Sequence, residues 1–498
     1  MKNKNRQIQF KTNFIFLSSL FMFLIIFIAA CGETQVNQEK SKERKTKVSI
    51  VGNQFYINGV PTYQGRTWTT TKGDSFPVEG LLMNSRMVQG IFDDLNTQTV
   101  GQWAYPDTKK WDADRNTREF IEAMPAWLEH GMLSFTINLQ GGCPYGYCRT
   151  QPWDNSAFNP DGSLRQSFMD RLELILDRAD DLGMIPIVGY FYFGQDERLA
   201  DDEAVKTAVI NATAWILEKG YTNVIIEINN ECDVNAYDHD ILKCERVHEL
   251  IEIAKAIEKD GRSLYIGTSH KGNTVPLPGI IEVSDFVLLH GNGVLKPERM
   301  KEMIDAVRAM DVYRNVPIIC NEDDRPWLNQ GWGEYDNNMA VAVQNYVSWG
   351  FFDFRLEKEN ALFNEGFQSV PINWQISSER KQAFFDLLAS VTGYPGTPKL
   401  QMEWSDEPGK VTVKVENADK FPAIKELSLL INNQVVQQVT NAPYSFEIAQ
   451  MPEHWHQVKA IAKYQSGNNE IIISTPMYEN PWWLYGGAKR EKTPVIGL

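Results

Sequence analysis

Eight short apolar runs between residues 79 and 356 are the feature that most constrains how this chain can fold. They are Glu79 to Met87, Met132 to Leu139, Met184 to Phe193, Asn223 to Glu231, Arg262 to Ser269, Asp285 to Gly291, Val316 to Glu322 and Gly350 to Leu356. Polar or amphipathic stretches separate them, which is typical of βα units around a parallel sheet. Eight units predict an α/β fold, a (β/α)8 (TIM) barrel over residues 47–397. A doubly wound open sheet is the alternative, but no glycine-rich phosphate-binding sequence follows the first run.

The sequence on either side of these runs has a different pattern. Before them, Asn58-Gly59 marks the turn of a short hairpin that we expect at the lower end of the barrel. From Pro398 onward, apolar and polar residues alternate in short stretches between Asn, Gly and Pro turns. This pattern predicts a small C-terminal β-sandwich of Ig-like size over residues 398–480. Residues 481–498 have no clear period and form a tail.

The N-terminus has the composition of a targeting segment. Four basic residues precede an apolar run from Phe14 to Ala30, and Cys31 follows, which predicts a signal peptide over residues 1–30. The run Ile28 to Cys31 resembles a bacterial lipobox, which implies cleavage before Cys31 and lipidation (palmitate) of its thiol. The expected location is the bacterial cell envelope, on the outer membrane surface or the periplasmic face. A retained membrane anchor is the alternative, because 17 apolar residues are marginal for a span. The polar residues 31–46 predict a flexible tether.

Charge and cysteine content restrict the partners, disulfides and metal sites that we expect. With 64 acidic and 49 basic residues the net charge is -15, so the chain lacks the basic footprint of a nucleic-acid binder. Beyond Cys31 there are five cysteines, an odd number that leaves at least one thiol unpaired. Cys143 and Cys148 bracket a short loop and could pair. No Cys/His spacing is typical of zinc, so we expect no structural metal and no cofactor.

Carboxylates mark the ends of two predicted strands. The fourth strand ends in Asn230-Glu231, and the seventh ends in Glu322 followed by Asp323 and Asp324. Functional groups of such barrels lie at the carboxyl ends of the strands, and strands four and seven face each other across eight. Two carboxylates about 5 Å apart are what a retaining glycosidase needs, one as nucleophile and one as acid and then base.

The placement of Asn230-Glu231 and Glu322 resembles that in clan A glycoside hydrolases, and in particular the family 5 cellulase-like group. The segment from Phe55 to Trp68 is similar to the one before the barrel in many of them, and the likeness in layout covers about Val48 to Gly393. It implies Glu231 as general acid/base, Glu322 as nucleophile and Asn230 as a donor to the sugar 2-hydroxyl. It also implies His290 and Trp374 as subsite residues.

The chain departs from the family's pattern at two positions. The family usually follows its Asn-Glu with Pro or a similar short turn, whereas this chain has Cys232-Asp233. Strand six commonly ends His-x-Tyr, whereas here it reads His290-Gly291-Asn292, without the tyrosine that would position the nucleophile.

Further polar and aromatic residues at strand ends are candidate substrate contacts. Arg86 on strand one, Asn138 and Gln140 on strand two, and Tyr192 on strand three form this set. Arg86 could instead orient Glu322 by an ion pair. Glu227 shares the face of Glu231 if strand four is regular, so it is either displaced by a bulge or a buried structural acid.

These residues favour a lipoprotein enzyme that hydrolyses a poly- or oligosaccharide by a retaining two-carboxylate mechanism. One alternative is a carbohydrate lyase or dehydratase acting beside a uronate, whose charge Arg149, Arg198, Lys271 or Arg325 could neutralise. A second alternative is a glycan-binding lipoprotein without catalytic activity.

Overall fold

In the computed structural model, residues 43–146, 148, 150–353, 358–359, 363–364, 366–405, 409–448 and 457–479 are described. The predicted signal peptide, Cys31 and the C-terminal tail lie outside these residues. The described residues from Arg44 onward belong to one compact unit. Among the described residues, no helix combines the length and apolar character needed to cross a bilayer.

The last residues of the predicted tether, 44–46, already contact the folded part of the chain. The backbone N–H of Thr46 donates to Asp180 at 2.8 Å, and the Arg44 guanidinium pairs with Asp177 and donates to the Lys219 carbonyl. Residues 44–46, which the sequence assigns to the tether, therefore lie against the folded unit. Their polar side chains suit a tether equally well as a surface contact, which is why composition does not separate the two.

Small antiparallel sheets precede the parallel strands. The first contains β1 (Val48–Val51), β2 (Gln54–Ile57) and β3 (Val60–Pro61), and the second pairs β4 (Thr67–Thr69) with β5 (Ser75–Pro77). Asn58 and Gly59 have φ of 54° and 79° between β2 and β3. These left-handed conformations are the ones that Asn and Gly adopt most easily, so the predicted Asn-Gly turn is confirmed.

Eight strands follow, and each overlaps one of the eight apolar runs. They are β6 (Asn84–Ser85), β7 (Ser134–Asn138), β8 (Ile185–Phe191), β9 (Ile225–Asn229), β10 (Tyr265–Gly267), β11 (Val287–His290), β12 (Ile318–Asp323) and β13 (Ser348–Phe351). They form two parallel sheets, β10-β9-β8-β7 and β11-β12-β13-β6. A parallel bridge between Arg86 and Thr136 joins the sheets on the side of β6 and β7. The predicted α/β class with parallel strands is confirmed.

Helices connect most of these strands and cover them. They are α1 (Ala113–Glu129), α2 (Gln166–Leu182), α3 (Asp202–Glu218), α4 (Val247–Lys255), α5 (Pro278–Val283), α6 (Pro297–Arg308), α7 (Asn338–Gln344) and α8 (Glu379–Thr392). A two-stranded ladder of β14 (Lys358–Glu359) and β15 (Phe363–Asn364) lies between β13 and α8. Every residue of β7, β8 and β9 is buried, as expected for parallel strands with both faces covered.

Two antiparallel sheets make up the C-terminal region. Their strands are β16 (Lys399–Trp404), β17 (Lys410–Glu416), β18 (Glu426–Ile431), β19 (Gln434–Val439), β20 (Tyr444–Glu447), β21 (Gln457–Ser466), β22 (Asn469–Ser474) and β23 (Tyr478–Glu479). One sheet has the order β16-β17-β20, and the other has β19-β18-β21-β22 with β23 beside β21. Both sheets contribute to one apolar core, which also contains Ala126 of α1. The alternating pattern after Pro398 thus marks antiparallel strands, while an Ig-like topology stays a prediction.

Candidate active site

Three ionisable side chains meet at the carboxyl ends of β9, β11 and β12. His290 Nδ1 lies 3.0 Å from Glu231 Oε1 and 3.7 Å from Glu322 Oε2. One carboxylate oxygen of each glutamate and a ring nitrogen of His290 all lie within 4.8 Å of one another, and all three residues are buried. The two glutamates that the sequence places on strands four and seven are therefore close enough to act on one bound atom.

Arg86 lies against this cluster from the end of β6. Its Nε is 2.7 Å from Glu322 Oε2, its Nη1 is 3.0 Å from Glu227 Oε2, and its Nη2 donates to Asn230 Oδ1. Only 1% of the Arg86 surface is exposed. The guanidinium is thus fully engaged with protein groups, which fits the second interpretation of Arg86, an orienting residue rather than a sugar contact.

Glu227 is a buried acid that faces the same cluster. It pairs with Arg86 and lies 3.9 Å from His290 Nε2. The alternation of side chains along β9 therefore correctly predicts that Glu227 points inward. Of the two possibilities left by the sequence, the buried structural acid is the one observed.

Asn292 has a role that the sequence did not reveal. Its Nδ2 donates to Glu322 Oε1, the oxygen that Arg86 Nε does not contact. The residue stands where the resembled family has the tyrosine of His-x-Tyr, so an amide N–H here takes the place of a phenol O–H. Its position two residues after His290 was the available signal, but an asparagine in a loop is too common to stand out.

Glu231 has an unusual backbone conformation, with φ of 57°. A glutamate in this left-handed region costs about 1 kcal/mol or more and persists only where neighbours hold it. The Glu231 N–H donates to Ser269 Oγ at 3.0 Å, and the Cys232 N–H donates to the Ser269 carbonyl at 3.0 Å. Tyr237 O–H also donates to the Asn230 carbonyl. The backbone of Glu231 is therefore held both by Ser269, after β10, and by Tyr237 in the loop that follows β9.

Burial and charge shift the protonation of the cluster. Burial raises the pKa of Glu322 to about 7, and the like charges of Glu231 and Glu227 add to this, while His290 and Arg86 act in the opposite direction. Burial alone would lower the pKa of His290, but the carboxylates of Glu322 and Glu231 outweigh it and raise that pKa. Compared with exposed side chains, Glu322 therefore takes up a proton more readily and His290 holds its proton more tightly.

The structure does not bring all predicted substrate contacts to the cluster. Burial is the main cause that raises the pKa of the Tyr192 phenol, and the charges of Glu322 and Glu231 raise it further. Tyr192 therefore lies close enough to the cluster to be affected by these two carboxylates. Gln140 instead donates to Ser156 Oγ and to the Gln195 carbonyl, both at 3.1 Å. Gln140 is therefore engaged in holding a loop.

Trp374 also differs from expectation, whereas the substrate contact expected of Asn138 stays a prediction. The Trp374 indole N–H donates to Asn116 Oδ1 at 3.0 Å, and its ring stacks on Phe367 in the core. Trp374 is thus a packing residue here, not a subsite residue beside the two glutamates. Among the described residues, neither amide atom of Asn138 has a hydrogen-bond partner. Asn138 packs over Gly189, where a Cβ would come within 2.2 Å of its Oδ1.

The cysteines form two disulfides. Cys143 pairs with Cys148, the pairing that the sequence allowed, and Cys232 pairs with Cys244. Cys320 is free and buried, and it accounts for the odd thiol. The donors of Cys232, Cys244 and His270 also lie within 4.8 Å of one another, but the sulfurs are joined in the disulfide. The other compact donor group consists of Glu231, His290 and Glu322, and there Arg86 already contacts Glu322. The expected absence of a structural metal stays a prediction.

Comparisons with known proteins give distant likenesses only. No protein-family model matches the sequence, and no curated protein matches it. Among solved structures, an FMN-binding beta-glucuronidase from Faecalibacterium prausnitzii is 12% identical with a TM-score of 0.38, over 86% of this chain and 58% of that one. A putative glycoside hydrolase from Bacteroides vulgatus is 12% identical with a TM-score of 0.42, over 88% of this chain and 81% of that one. A family 5 glycoside hydrolase from the same species is 12% identical with a TM-score of 0.39, over 83% and 94%. Likenesses at this level assign no activity to this chain.

Proposed function

We propose that this chain is a glycoside hydrolase that cleaves a poly- or oligosaccharide with retention of configuration. The observation that carries the proposal is the pair Glu231 and Glu322, whose nearest oxygens lie within 4.8 Å at the carboxyl ends of two parallel strands. Retaining enzymes hold their two carboxyl groups about 5–5.5 Å apart, whereas inverting enzymes need more room for a water. In this proposal the eight parallel strands close into a (β/α)8 barrel with the site at its carboxyl end.

The hydrogen bonds distinguish the roles of the two glutamates. Glu322 accepts from Arg86 and Asn292, one donor on each oxygen, and both donors favour its ionised form. Glu322 therefore attacks the anomeric carbon. Glu231 protonates the departing oxygen, and in the second step it removes a proton from the water that releases the sugar.

Asn230 is oriented to bind the substrate. Arg86 Nη2 donates to its Oδ1, which fixes the orientation of the amide. Within the described part of the chain, the Nδ2 of Asn230 has no hydrogen-bond partner. That N–H is therefore the donor for a sugar hydroxyl next to the reacting carbon.

A polysaccharide screen tests the proposal directly. We expect new reducing ends from at least one neutral or acidic polysaccharide, and proton NMR should show that the first product keeps the anomeric configuration of the bond cleaved. An unsaturated sugar detected by ultraviolet absorbance would instead establish the lyase alternative. Three of the four loop cations invoked for that alternative contact protein groups: Arg198 with Trp153, Lys271 with Asp233 and Arg325 with Asp324. Binding without any product would establish the inactive alternative.

The pH dependence of hydrolysis follows from the position of Glu322. Because the nucleophile must be ionised and burial raises the pKa of Glu322 to about 7, kcat/KM should fall as the pH drops through about 7. Glu227→Gln removes one like charge near Glu322, so it should move this limb to lower pH. Initial rates on a soluble oligosaccharide between about pH 5 and about pH 8 measure both effects. A flat profile over this range would show that the nucleophile does not titrate near pH 7 and would contradict the raised pKa of Glu322.

Membrane attachment through Cys31 is the localisation that we propose, in the bacterial cell envelope. Cys31→Ser should leave the protein without lipid, because acylation needs that thiol and hydrocarbon burial supplies the membrane affinity. Detergent phase partitioning of cells that express each form measures the difference. If the serine variant partitions like the unmodified sequence, the apolar segment itself is the anchor.

A further inference from the structure

We propose that the Cys232–Cys244 disulfide is a positioning element for Glu231, so that opening it lowers turnover without unfolding the protein. The proposal rests on the proposed function of Glu231 and concerns a bond that the resembled family's pattern does not include. Cys232 directly follows Glu231 in the chain, and Cys244 lies near the other end of the loop between β9 and α4. The bond thus closes the loop immediately next to the acid/base residue.

The backbone of Glu231 needs such a restraint. Its φ of 57° is unfavourable for a residue with a side chain, and the lower-energy alternatives turn the carboxylate in another direction. The restraints on its C-terminal side include the disulfide, the bond from the Cys232 N–H to the Ser269 carbonyl, and the bond from the Val234 N–H to the Glu231 carbonyl at 3.0 Å. Of these only the disulfide is covalent. Opening it removes the tie that most limits rotation at Glu231.

A small change in direction has a large effect at this site. Glu231 Oε1 lies 3.0 Å from His290 Nδ1, and this contact places it beside Glu322. A misplacement of about 1 Å can cost about 100-fold in rate, because proton transfer requires close and aligned atoms. The loss concerns the acid/base step, so KM should change little.

We expect a thiol reductant to approach the disulfide from the side of Cys244, which is 7% exposed, whereas Cys232 is 1% exposed. A cavity of about 440 Å³ is lined by both half-cystines, Asp233, His270 and Leu277. A dithiol reductant reacts through its thiolate, which attacks one sulfur and displaces the other as a thiolate. Its second thiol then displaces the remaining protein sulfur, so two protein thiols form while the reductant becomes a disulfide.

His270 is placed to take part in this exchange. Its Nε2 is 3.2 Å from Cys244 Sγ and 3.7 Å from Cys232 Sγ. Nε2 also accepts the Leu277 N–H at 3.3 Å, so this nitrogen carries a lone pair. Burial lowers the pKa of His270 to about 4, which keeps the ring neutral. That one lone pair is already engaged, so in the reduced protein the Cys244 S–H competes with the Leu277 N–H for Nε2.

Two double variants and a reductant test the proposal on the full chain. Cys143→Ser/Cys148→Ser removes the other disulfide and is the matched control. With dithiothreitol, kcat on an unactivated oligosaccharide should fall about 10- to 100-fold in the unmodified protein and in this control. Cys232→Ser/Cys244→Ser should start at the low rate and show no further response. An activated aryl glycoside should lose less in its first step, because its leaving group needs no proton.

A second measurement does not depend on catalysis. Hydrogen exchange at the amides of Glu231, Cys232 and Val234 should become faster on reduction, while the unfolding midpoint shows that the fold remains.

If the reductant opens the disulfide and kcat on the oligosaccharide is unchanged, the proposal is overturned. The same holds if exchange at the three amides does not change. If exchange becomes faster but the unmodified protein hydrolyses no glycoside, the positioning of Glu231 stands and the proposed function fails. Should the serine variants not fold, reduction of the folded protein decides between these outcomes.

Discussion

Glu322→Ala is expected to abolish turnover of every glycoside, whatever its leaving group. Without the carboxylate, no glycosyl-enzyme forms, and Arg86 and Asn292 have no substitute acceptor at that position. We expect kcat to fall by more than about 10,000-fold, as is usual when a nucleophile is removed. Steady-state assays on an aryl glycoside and on an oligosaccharide measure the loss. The comparison requires that the unmodified protein hydrolyses the aryl glycoside.

Glu231→Ala should fail in a different way. An activated aryl group departs without a proton, so the first step continues and the glycosyl-enzyme accumulates, because water lacks its base. Azide needs no base and should restore turnover as a glycosyl azide of retained configuration. In Glu322→Ala, azide could attack only the open face and would give the inverted product. If Glu231→Ala gave the inverted azide and Glu322→Ala the retained one, the roles of Glu231 and Glu322 would have to be exchanged.

Asp196 provides a matched control for both variants. It is another buried carboxyl group that follows a parallel strand, and burial raises its pKa to about 6. Its oxygens accept backbone N–H groups of Gly194 and Asp238 in nearby loops. Asp196→Asn replaces one of these acceptors by an NH2 group, so it should cost some stability, but the folded variant should keep the kcat of the unmodified protein because Asp196 contacts these loops and not the two glutamates. A loss as large as that of Glu322→Ala would show that removing any buried strand-end carboxylate disables the fold.

The strands and the residues at their ends were predictable because both follow from short-range rules. Parallel strands are buried on both faces and therefore have nearly continuous apolar sequences, which are visible as the eight apolar runs. Alternation of side chains along β9 then predicts that Glu227 faces inward, where it pairs with Arg86. Glu231 and Glu322 are at or within two residues of a strand, so the same rules predict that they converge.

The parts of the site that could not be predicted lie where the chain leaves a strand. The left-handed backbone of Glu231 depends on Ser269 and on a disulfide to Cys244, and no sequence spacing specifies that pairing. Asn292 reaches Glu322 only because of the turn after β11. Trp374 lies more than twenty residues beyond β13, too far for its direction to be extrapolated from a strand. It packs against Asn116 and Phe367 instead.

Arg86→Met is expected to have the largest effect on stability, because it removes the cation between two buried acids. Arg86 contacts Glu227 and Glu322, and all three are almost fully buried. Breaking a buried ion pair on one side costs about 3–5 kcal/mol, since the remaining charges stay desolvated. Urea unfolding at neutral pH measures this loss in the free energy of unfolding.

The loss should grow as the pH rises. The pKa of Glu322 is raised in the folded protein, so between its ordinary value of 4.5 and about 7 the folded state holds a proton that the unfolded chain has released, and stability declines over this interval as the pH rises. Arg86 is one of the two groups that counteract this rise, so Arg86→Met should raise the pKa of Glu322 further and extend the decline to higher pH within the range from about pH 5 to about pH 8. Adding Glu227→Gln removes one of the uncompensated charges and should recover part of the stability. If the loss is equal at both ends of this range, or Glu227→Gln recovers nothing, Arg86 stabilises the site by packing its side chain and not by its charge.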